Sequence, residues 1–150
     1  MVRPFRSRRA MRGFTLLEII IVVVIIGMFM AAIVQNIGGE VDRAARTAAM
    51  SDVQTLDAAL NRYKLDNYVY PTTEQGLAAL VERPTAPPEP RNYPRGGYIT
   101  KLPLDPWKNP YQYLQPGRTG DFDVFSLGAD GKLGGEGENA DIGNRDPARP

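Results

Sequence analysis

An uncharged, strongly apolar run constrains this chain more than any other feature. It extends from Ile19 to Val34, and together with the residues back to Phe14 it would form about 30 Å of helix, enough to cross the hydrocarbon layer of a membrane. Arginines crowd the segment before the run, and the next basic residue after it is Arg43, an asymmetry that predicts a cytoplasmic amino terminus. We therefore predict a transmembrane helix over residues 14–34, with the residues that follow it in the periplasm.

An ordinary secretory signal peptide also begins with basic residues followed by an apolar stretch. Its apolar core is about 7 to 15 residues long, and it ends in a cleavage site made of small residues. The run here is longer, and Met30 occupies the third position before a cut at Ala32, where a small residue is needed. The pattern favours a retained anchor.

Charge divides the chain into two parts. Residues 1–13 contain five arginines and no acidic residue. The rest of the chain contains the other 13 of the 18 basic residues and all 17 acidic residues, so its net charge is −4. Nucleic acid is not an expected partner, because phosphate binding requires a basic face on the working molecule. The sequence has no cysteine or histidine and few serines, so the common pairs of nucleophile and base are absent. We predict that the protein is not an enzyme.

One carboxylate, Glu18, lies inside the apolar stretch. A charge in the membrane interior costs about 2.5 to 3.5 kcal/mol, so this side chain should have a partner and a role. The simpler alternative is an acid that reaches back to the membrane surface.

The residues around Glu18 form a specific motif, Gly13-Phe14-Thr15-Leu16-Leu17-Glu18, between a short basic leader and a long apolar helix. This motif resembles the class III signal of type IV pilins and pseudopilins. The resemblance implies that a prepilin peptidase removes residues 1–13 by cleaving between Gly13 and Phe14 and then methylates the amine of Phe14. A free amine on Phe14 would give Glu18 an opposite charge, in its own chain or on a neighbouring subunit, and so favour assembly.

Helical periodicity continues beyond the apolar run. Apolar residues recur on one face while charged residues fall between them, which predicts an amphipathic helix that continues to about Lys64. Residues 35–66 would form its periplasmic part. Two separate helices are the alternative, and the weak point would be Gln35–Gly39, because each glycine costs about 1 kcal/mol relative to alanine.

Residues 67–150 are predicted to form a globular periplasmic head. A short helix is expected at Gln75–Glu82, capped by Thr72 or Thr73, and the four prolines of residues 83–90 indicate an extended connection. Three later segments have the aromatic and β-branched content of strands. They are Tyr98–Leu102, Tyr111–Gln115 and Phe122–Leu127.

These elements predict an α+β fold in which a small antiparallel sheet packs on the carboxyl half of the long helix. The helix residues expected to be buried by this packing are Val53, Leu56, Leu60 and Tyr63.

Four motifs in the head narrow the resemblance. They are Tyr63–Asn67, Tyr70–Leu77, Leu102–Trp107 and Phe125–Gly131. In this order they resemble the major pseudopilins of type II secretion, and the whole pattern is similar to the pilin-like fold. The resemblance implies a structural subunit that polymerises in the periplasm and drives export of folded proteins across the outer membrane. The implied partners are further copies of the chain, minor pseudopilins, the prepilin peptidase and the inner-membrane secretion platform.

Two other functions stay open at this point. A type IV pilus or competence pseudopilus subunit shares the amino-terminal motif, although type IV pilins commonly close a carboxyl-terminal loop with two cysteines that this chain does not have. A membrane-tethered binding or enzymatic domain would predict activity from the isolated head.

The segment from Gly128 to Gly143 is rich in glycine and in side-chain oxygens. A hard cation such as calcium takes six to eight oxygens, which carboxylates and the carbonyls of a flexible loop can supply. The spacing does not fit an EF-hand, and composition alone favours a solvated acidic loop.

The resemblance implies that this loop holds calcium through two aspartates and a main-chain carbonyl. The implied ligands are Leu127, Asp130 and Asp141. Many relatives have a further aspartate where Ala140 stands, so Glu138 or Asn139 would replace it as a ligand. Such an ion would tie down a loop that otherwise loses much entropy on ordering.

Overall fold

A computed structural model describes residues 14–118 and 120–145, and the side chains of residues 31–38 are outside its described part. The chain divides into two compact units, Met1–Glu40 and Val41–Pro150. The predicted leader, residues 1–13, lies outside the described residues.

One long helix, α1 (Leu16–Asn67), accounts for most of the regular structure. It ends at Asn67. The next residue, Tyr68, has its backbone in the left-handed region (φ 66°), and its N–H donates to the carbonyl of Lys64 at 2.7 Å. This arrangement is a common way to close the last turn of a helix. The predicted single helix and its end near residue 66 are confirmed.

Three strands form one antiparallel sheet in the order β1 (Gln112–Leu114), β2 (Asp123–Ser126) and β3 (Ile142–Gly143). In the register, Tyr113 pairs with Val124, and Ser126 pairs with Ile142. The central strand β2 is buried along its whole length.

The core of the second unit lies between the carboxyl half of α1 and the rest of the head. Four helix residues at helical spacing are fully buried, as predicted; they are Val53, Leu56, Leu60 and Tyr63. The side chains that join them in one cluster include Leu80, Tyr113, Phe122 and Val124. The predicted α+β architecture is therefore confirmed.

The predicted strand at Tyr98–Leu102 is wrong. The backbone N–H groups of Tyr98 and Ile99 both donate to the carbonyl of Leu80, at 2.7 and 3.1 Å, so they are not available for a ladder. The ring of Tyr98 packs on Tyr63 instead, with centroids 5.2 Å apart. The third strand is β3, which the sequence analysis placed within the glycine-rich loop.

The predicted helix at Gln75–Glu82 is shorter and of another type, a 3₁₀ helix at Leu77–Leu80. Gly76 precedes it with φ 59°, a backbone conformation that an α-helix cannot contain. Thr72 and Gln75 close the turn before it reciprocally, since the Thr72 hydroxyl accepts from the Gln75 amide and the Gln75 side chain accepts from the Thr72 amide. The predicted cap by Thr72 or Thr73 is therefore wrong for the helix itself, whose N-cap is Gly76 without a side-chain hydrogen bond, and Thr72 closes the preceding turn instead. Residues 83–90 form an irregular connection as expected.

Candidate functional sites

The amino-terminal site begins at the first described residues. Gly13, on one side of the predicted cleavage point, lies outside them, whereas Phe14 is 79% exposed and precedes α1. The Thr15 hydroxyl accepts the backbone N–H of Glu18 at 3.2 Å. Thr15 therefore caps α1, a role that the sequence analysis missed although the Thr-x-x-Glu spacing is a known signal for a helix start.

Glu18 lies in the first turn of α1 with an exposed side chain. A negative charge is favourable there because the unpaired backbone N–H groups make a helix amino terminus partly positive. The larger apolar side chains from Phe14 to Met30 are 45 to 81% exposed. A surface of this kind requires lipid or other apolar partners.

Within the part of the chain that the structure describes, no helical stretch is both long enough and apolar enough to cross a membrane. The predicted span over residues 14–34 extends into residues whose side chains are outside that part, and it stays a prediction.

The carboxyl-terminal loop connects β2 to β3 and contains a second 3₁₀ helix, Gly137–Asn139. Its two sides are joined by backbone hydrogen bonds from Ala129 to Glu138 (3.1 Å) and from Asp141 to Gly134 (3.2 Å). Gly128 allows a close approach, because its φ is 67° and a Cβ there would lie 2.8 Å from the carbonyl carbon of Asn139. The loop is therefore compact.

A cation from the helix also holds this loop. The Arg46 guanidinium of α1 donates to the carbonyl of Gly137 at 2.7 Å and to that of Ala140 at 3.2 Å. Arg46 has no signal in the sequence, because no local pattern relates it to a loop more than ninety residues away.

The predicted calcium ligands occupy different environments. Asp130 is exposed and one of its oxygens accepts the Lys132 amide at 3.0 Å. Glu138 faces α1, where a hydrogen bond to Asp42 and the negative charge of Asp42 raise the pKa of Glu138. Among the described residues, no three acidic, histidine or cysteine side chains lie close enough together to hold a metal ion.

Asp141 is the predicted ligand whose geometry fits a cation best. One carboxylate oxygen accepts the Gly134 amide at 2.9 Å, whereas the other is buried without a hydrogen-bond partner. A buried oxygen of this kind is costly unless an ion or another group satisfies it. A carboxylate oxygen of this kind is a hard donor, the type of ligand that calcium prefers.

The fold and the two sites define a class of protein. A long helix that starts at a Gly-Phe-Thr-Leu-Leu-Glu motif and packs on a small antiparallel sheet is the architecture of a pilin-like subunit. The chain matches the Prokaryotic N-terminal methylation motif over residues 8–34 and the Type II secretion system (T2SS), protein G family over residues 36–145. It belongs to the latter family, which contains the major pseudopilins. The resemblance predicted from the sequence motifs is confirmed.

Curated relatives agree along almost the whole chain. The type II secretion system core protein G of Pseudomonas aeruginosa is 55% identical over 93% of this chain and 99% of its own length. The protein of the same name from Vibrio cholerae is 57% identical over 93% of this chain and 94% of its own. The crystal structure of the major pseudopilin from enterohaemorrhagic Escherichia coli is similar with a TM-score of 0.65 and 53% identity, and the match covers 73% of this chain and 93% of that one.

These matches make the chain a structural subunit and not an enzyme. The family and the methylation motif also imply processing by a prepilin peptidase and assembly into a membrane-anchored pseudopilus. They give no separate support to a type IV pilus or competence subunit.

Proposed function

We propose that this chain polymerises in the periplasm into the type II secretion pseudopilus and thereby drives folded proteins across the outer membrane. The observation that carries the proposal is the joint match of the methylation motif and the protein G family, which cover residues 8–34 and 36–145. The proposed partners are further copies of the chain, minor pseudopilins, the prepilin peptidase and the inner-membrane platform.

The proposed topology is a single pass through the inner membrane. Residues 14–34 form the anchor, the amino terminus is cytoplasmic, and residues 35–66 and 67–150 are periplasmic. The leader arginines and the exposed apolar side chains that follow Phe14 support this orientation.

Processing is proposed between Gly13 and Phe14, with methylation of the Phe14 amine. The helix cap at Thr15 supports this position, because α1 begins only after the cleavage point. Glu18 would then meet the new amine, in its own chain or on the next subunit, as the filament forms.

Calcium is the proposed ligand of the carboxyl-terminal loop. The proposed ligands are Leu127 through its carbonyl, Asp130 and Asp141, with Glu138 or Asn139 in the place of the aspartate that Ala140 replaces. The unpartnered oxygen of Asp141 supports the site. A bound calcium ion would supply a positive charge that holds the oxygens of the loop together.

Complementation tests the function. The full chain is expressed in a type II secreting bacterium that lacks its own major pseudopilin, and release of a folded exoprotein is measured together with fibre formation. We expect secretion to be restored and mass spectrometry to find methylated Phe14 at the amino terminus. Fibres built from chains that keep residues 1–13, or long surface fibres without secretion, would contradict the proposal.

A further inference from the structure

Two polar side chains from separate motifs meet in the core below the carboxyl-terminal loop. Asp105 is 1% exposed and Ser126, the last residue of β2, is 0% exposed. The Ser126 hydroxyl donates to one oxygen of the Asp105 carboxylate at 2.6 Å. A buried carboxylate is expensive, so its retention calls for a specific role.

The Asp105 carboxylate is held rigidly by its own segment. Its other oxygen accepts the backbone N–H groups of Trp107 at 3.0 Å and Asn109 at 2.7 Å. The Asp105 amide in turn donates to the carbonyl of Asn109 at 2.9 Å. The position of the oxygen that meets Ser126 is therefore set by a closed turn.

Ser126 connects the Asp105 carboxylate to Gly128, at the start of the loop. Because its hydrogen is directed to Asp105, its oxygen is free to accept the backbone N–H of Gly128, at 3.2 Å. The Asn109 side-chain amide donates to the carbonyl of Gly128 at 3.4 Å. The backbone on both sides of Gly128 is thus fixed by the same turn.

The direction of one proposed calcium ligand follows from this contact. The N–H of Gly128 and the carbonyl of Leu127 belong to one planar trans peptide unit, so they point in opposite directions. Once the Gly128 N–H points at Ser126, the Leu127 oxygen must point away from it.

We propose that Asp105 and Ser126 are positioning residues for calcium, which aim the Leu127 carbonyl and set the turn that leads to Asp130. The inference rests on the proposed calcium site. It gives a role to the Leu102–Trp107 motif, which contains Asp105 and has no part in processing or in membrane anchoring. Groups behind the first ligands of a metal commonly tune its affinity in this way.

Calcium affinity of the purified full chain in detergent tests the inference, with isothermal titration of calcium and magnesium and with thermal melting in chelator. Asp105→Asn keeps the two bonds to the Trp107 and Asn109 amides but places an NH2 group against Ser126. The Ser126 hydrogen then loses its acceptor, and the Ser126 oxygen must accept from that NH2 group as well as from Gly128. Ser126→Ala removes the connection while changing a single oxygen. Tyr113→Phe is the matched control, because it removes another buried hydrogen bond, to the Pro71 carbonyl at 2.8 Å, away from the loop.

We expect both Asp105→Asn and Ser126→Ala to weaken calcium binding about tenfold, as loss of groups behind metal ligands does elsewhere. The double variant should be little weaker than either single one, because both changes act on the same connection. Tyr113→Phe should lower the melting midpoint in chelator and leave the calcium affinity unchanged.

The two hypotheses fail differently. If the unchanged protein binds no calcium, the calcium proposal itself is wrong. If it binds calcium and both variants bind it equally well, with only their midpoints in chelator lowered, Asp105 and Ser126 stabilise the core and do not position the site. Ser126→Ala decides the question if Asp105→Asn does not fold.

Discussion

Buried tyrosines are the residues whose ionisation bears most directly on the stability of the head. Burial raises the pKa of Tyr98 to about 12, and it also raises the pKa values of Tyr111 and Tyr113. For Tyr111 a hydrogen bond from its hydroxyl to Asp52 adds to the effect, at 3.0 Å. All three hydroxyls must stay protonated while Tyr111 and Tyr113 are packed in the core and Tyr98 is packed against it.

This burial predicts unfolding in alkali. An unfolded tyrosine loses its proton near pH 10, so the stabilisation is complete below about pH 10 and is lost as the pH rises through the folded pKa, about 12 for Tyr98. Stability should fall by about 1.4 kcal/mol per pH unit for each such tyrosine. Circular dichroism and tyrosinate absorbance should change together. Ionisation of every tyrosine near pH 10 with the fold intact would contradict this.

Glu18 carries a prediction for the amino-terminal end of α1. Glu18→Ala should still insert into the membrane and be processed but assemble poorly, because the Phe14 amine loses its counter-charge. Loss of about 1.4 kcal/mol lowers an assembly equilibrium about tenfold. Fibre yield and membrane content are measured by immunoblot. Glu18→Gln, which keeps the shape without the charge, should share the defect, and normal fibres from both variants would remove this role.

At the scale of elements, Arg46 connects α1 to the second 3₁₀ helix through two main-chain carbonyls. Arg46→Ala should lower the free energy of unfolding by about 1 to 2 kcal/mol, because bonds from a charged donor are stronger than neutral ones but are partly screened by solvent. Proteolysis within residues 128–141 should become faster. Urea unfolding and timed digestion measure these two effects.

Arg62→Ala is the control for this prediction, since Arg62 is an exposed arginine on the same helix. A surface change of this kind should alter stability by less than about 0.5 kcal/mol. Equal effects of the two substitutions would mean that the Arg46 contacts do not hold the loop.

Some elements of the fold could be predicted from the sequence and others could not. Periodicity located α1 and its buried face, because the helix repeat is visible over many turns. The missed strand β3 has two residues, Ile142–Gly143, and exists only through pairing with β2, so no local pattern marks it. Tyr98–Leu102 has strand-like composition, yet packing on Tyr63 and bonding to Leu80 determine its structure.

The two candidate sites were likewise predictable only in part. The loop at Gly128–Gly143 was predictable from its glycines and acids, and the motif gave the positions of Phe14 and Glu18. The contacts that hold the loop, from Arg46 and from Asp105 through Ser126, join residues far apart in sequence. Their roles depend on the tertiary fold and could not be read from spacing.

At the scale of the whole molecule, the chain has no cysteine, so no disulfide can close the carboxyl-terminal loop. Glycine loses more conformational entropy on ordering than other residues, and this loop is rich in it. A ligand that binds only the folded state stabilises it by about 2.7 kcal/mol at one hundred times its dissociation constant. Bound calcium would therefore stabilise the folded loop in the absence of a disulfide.

Thermal melting of the purified full chain in detergent measures this. Calcium in excess should raise the melting midpoint by about 10 °C over chelator, as expected for such a gain in a domain of this size. Magnesium at the same concentration should raise it much less, because that ion requires a tighter octahedral site and gives up its water reluctantly. Asp141→Asn should reduce the calcium shift, since Asp141 has the buried oxygen without a partner. Equal midpoints in calcium and chelator would mean that protein contacts alone, including those of Arg46, order the loop.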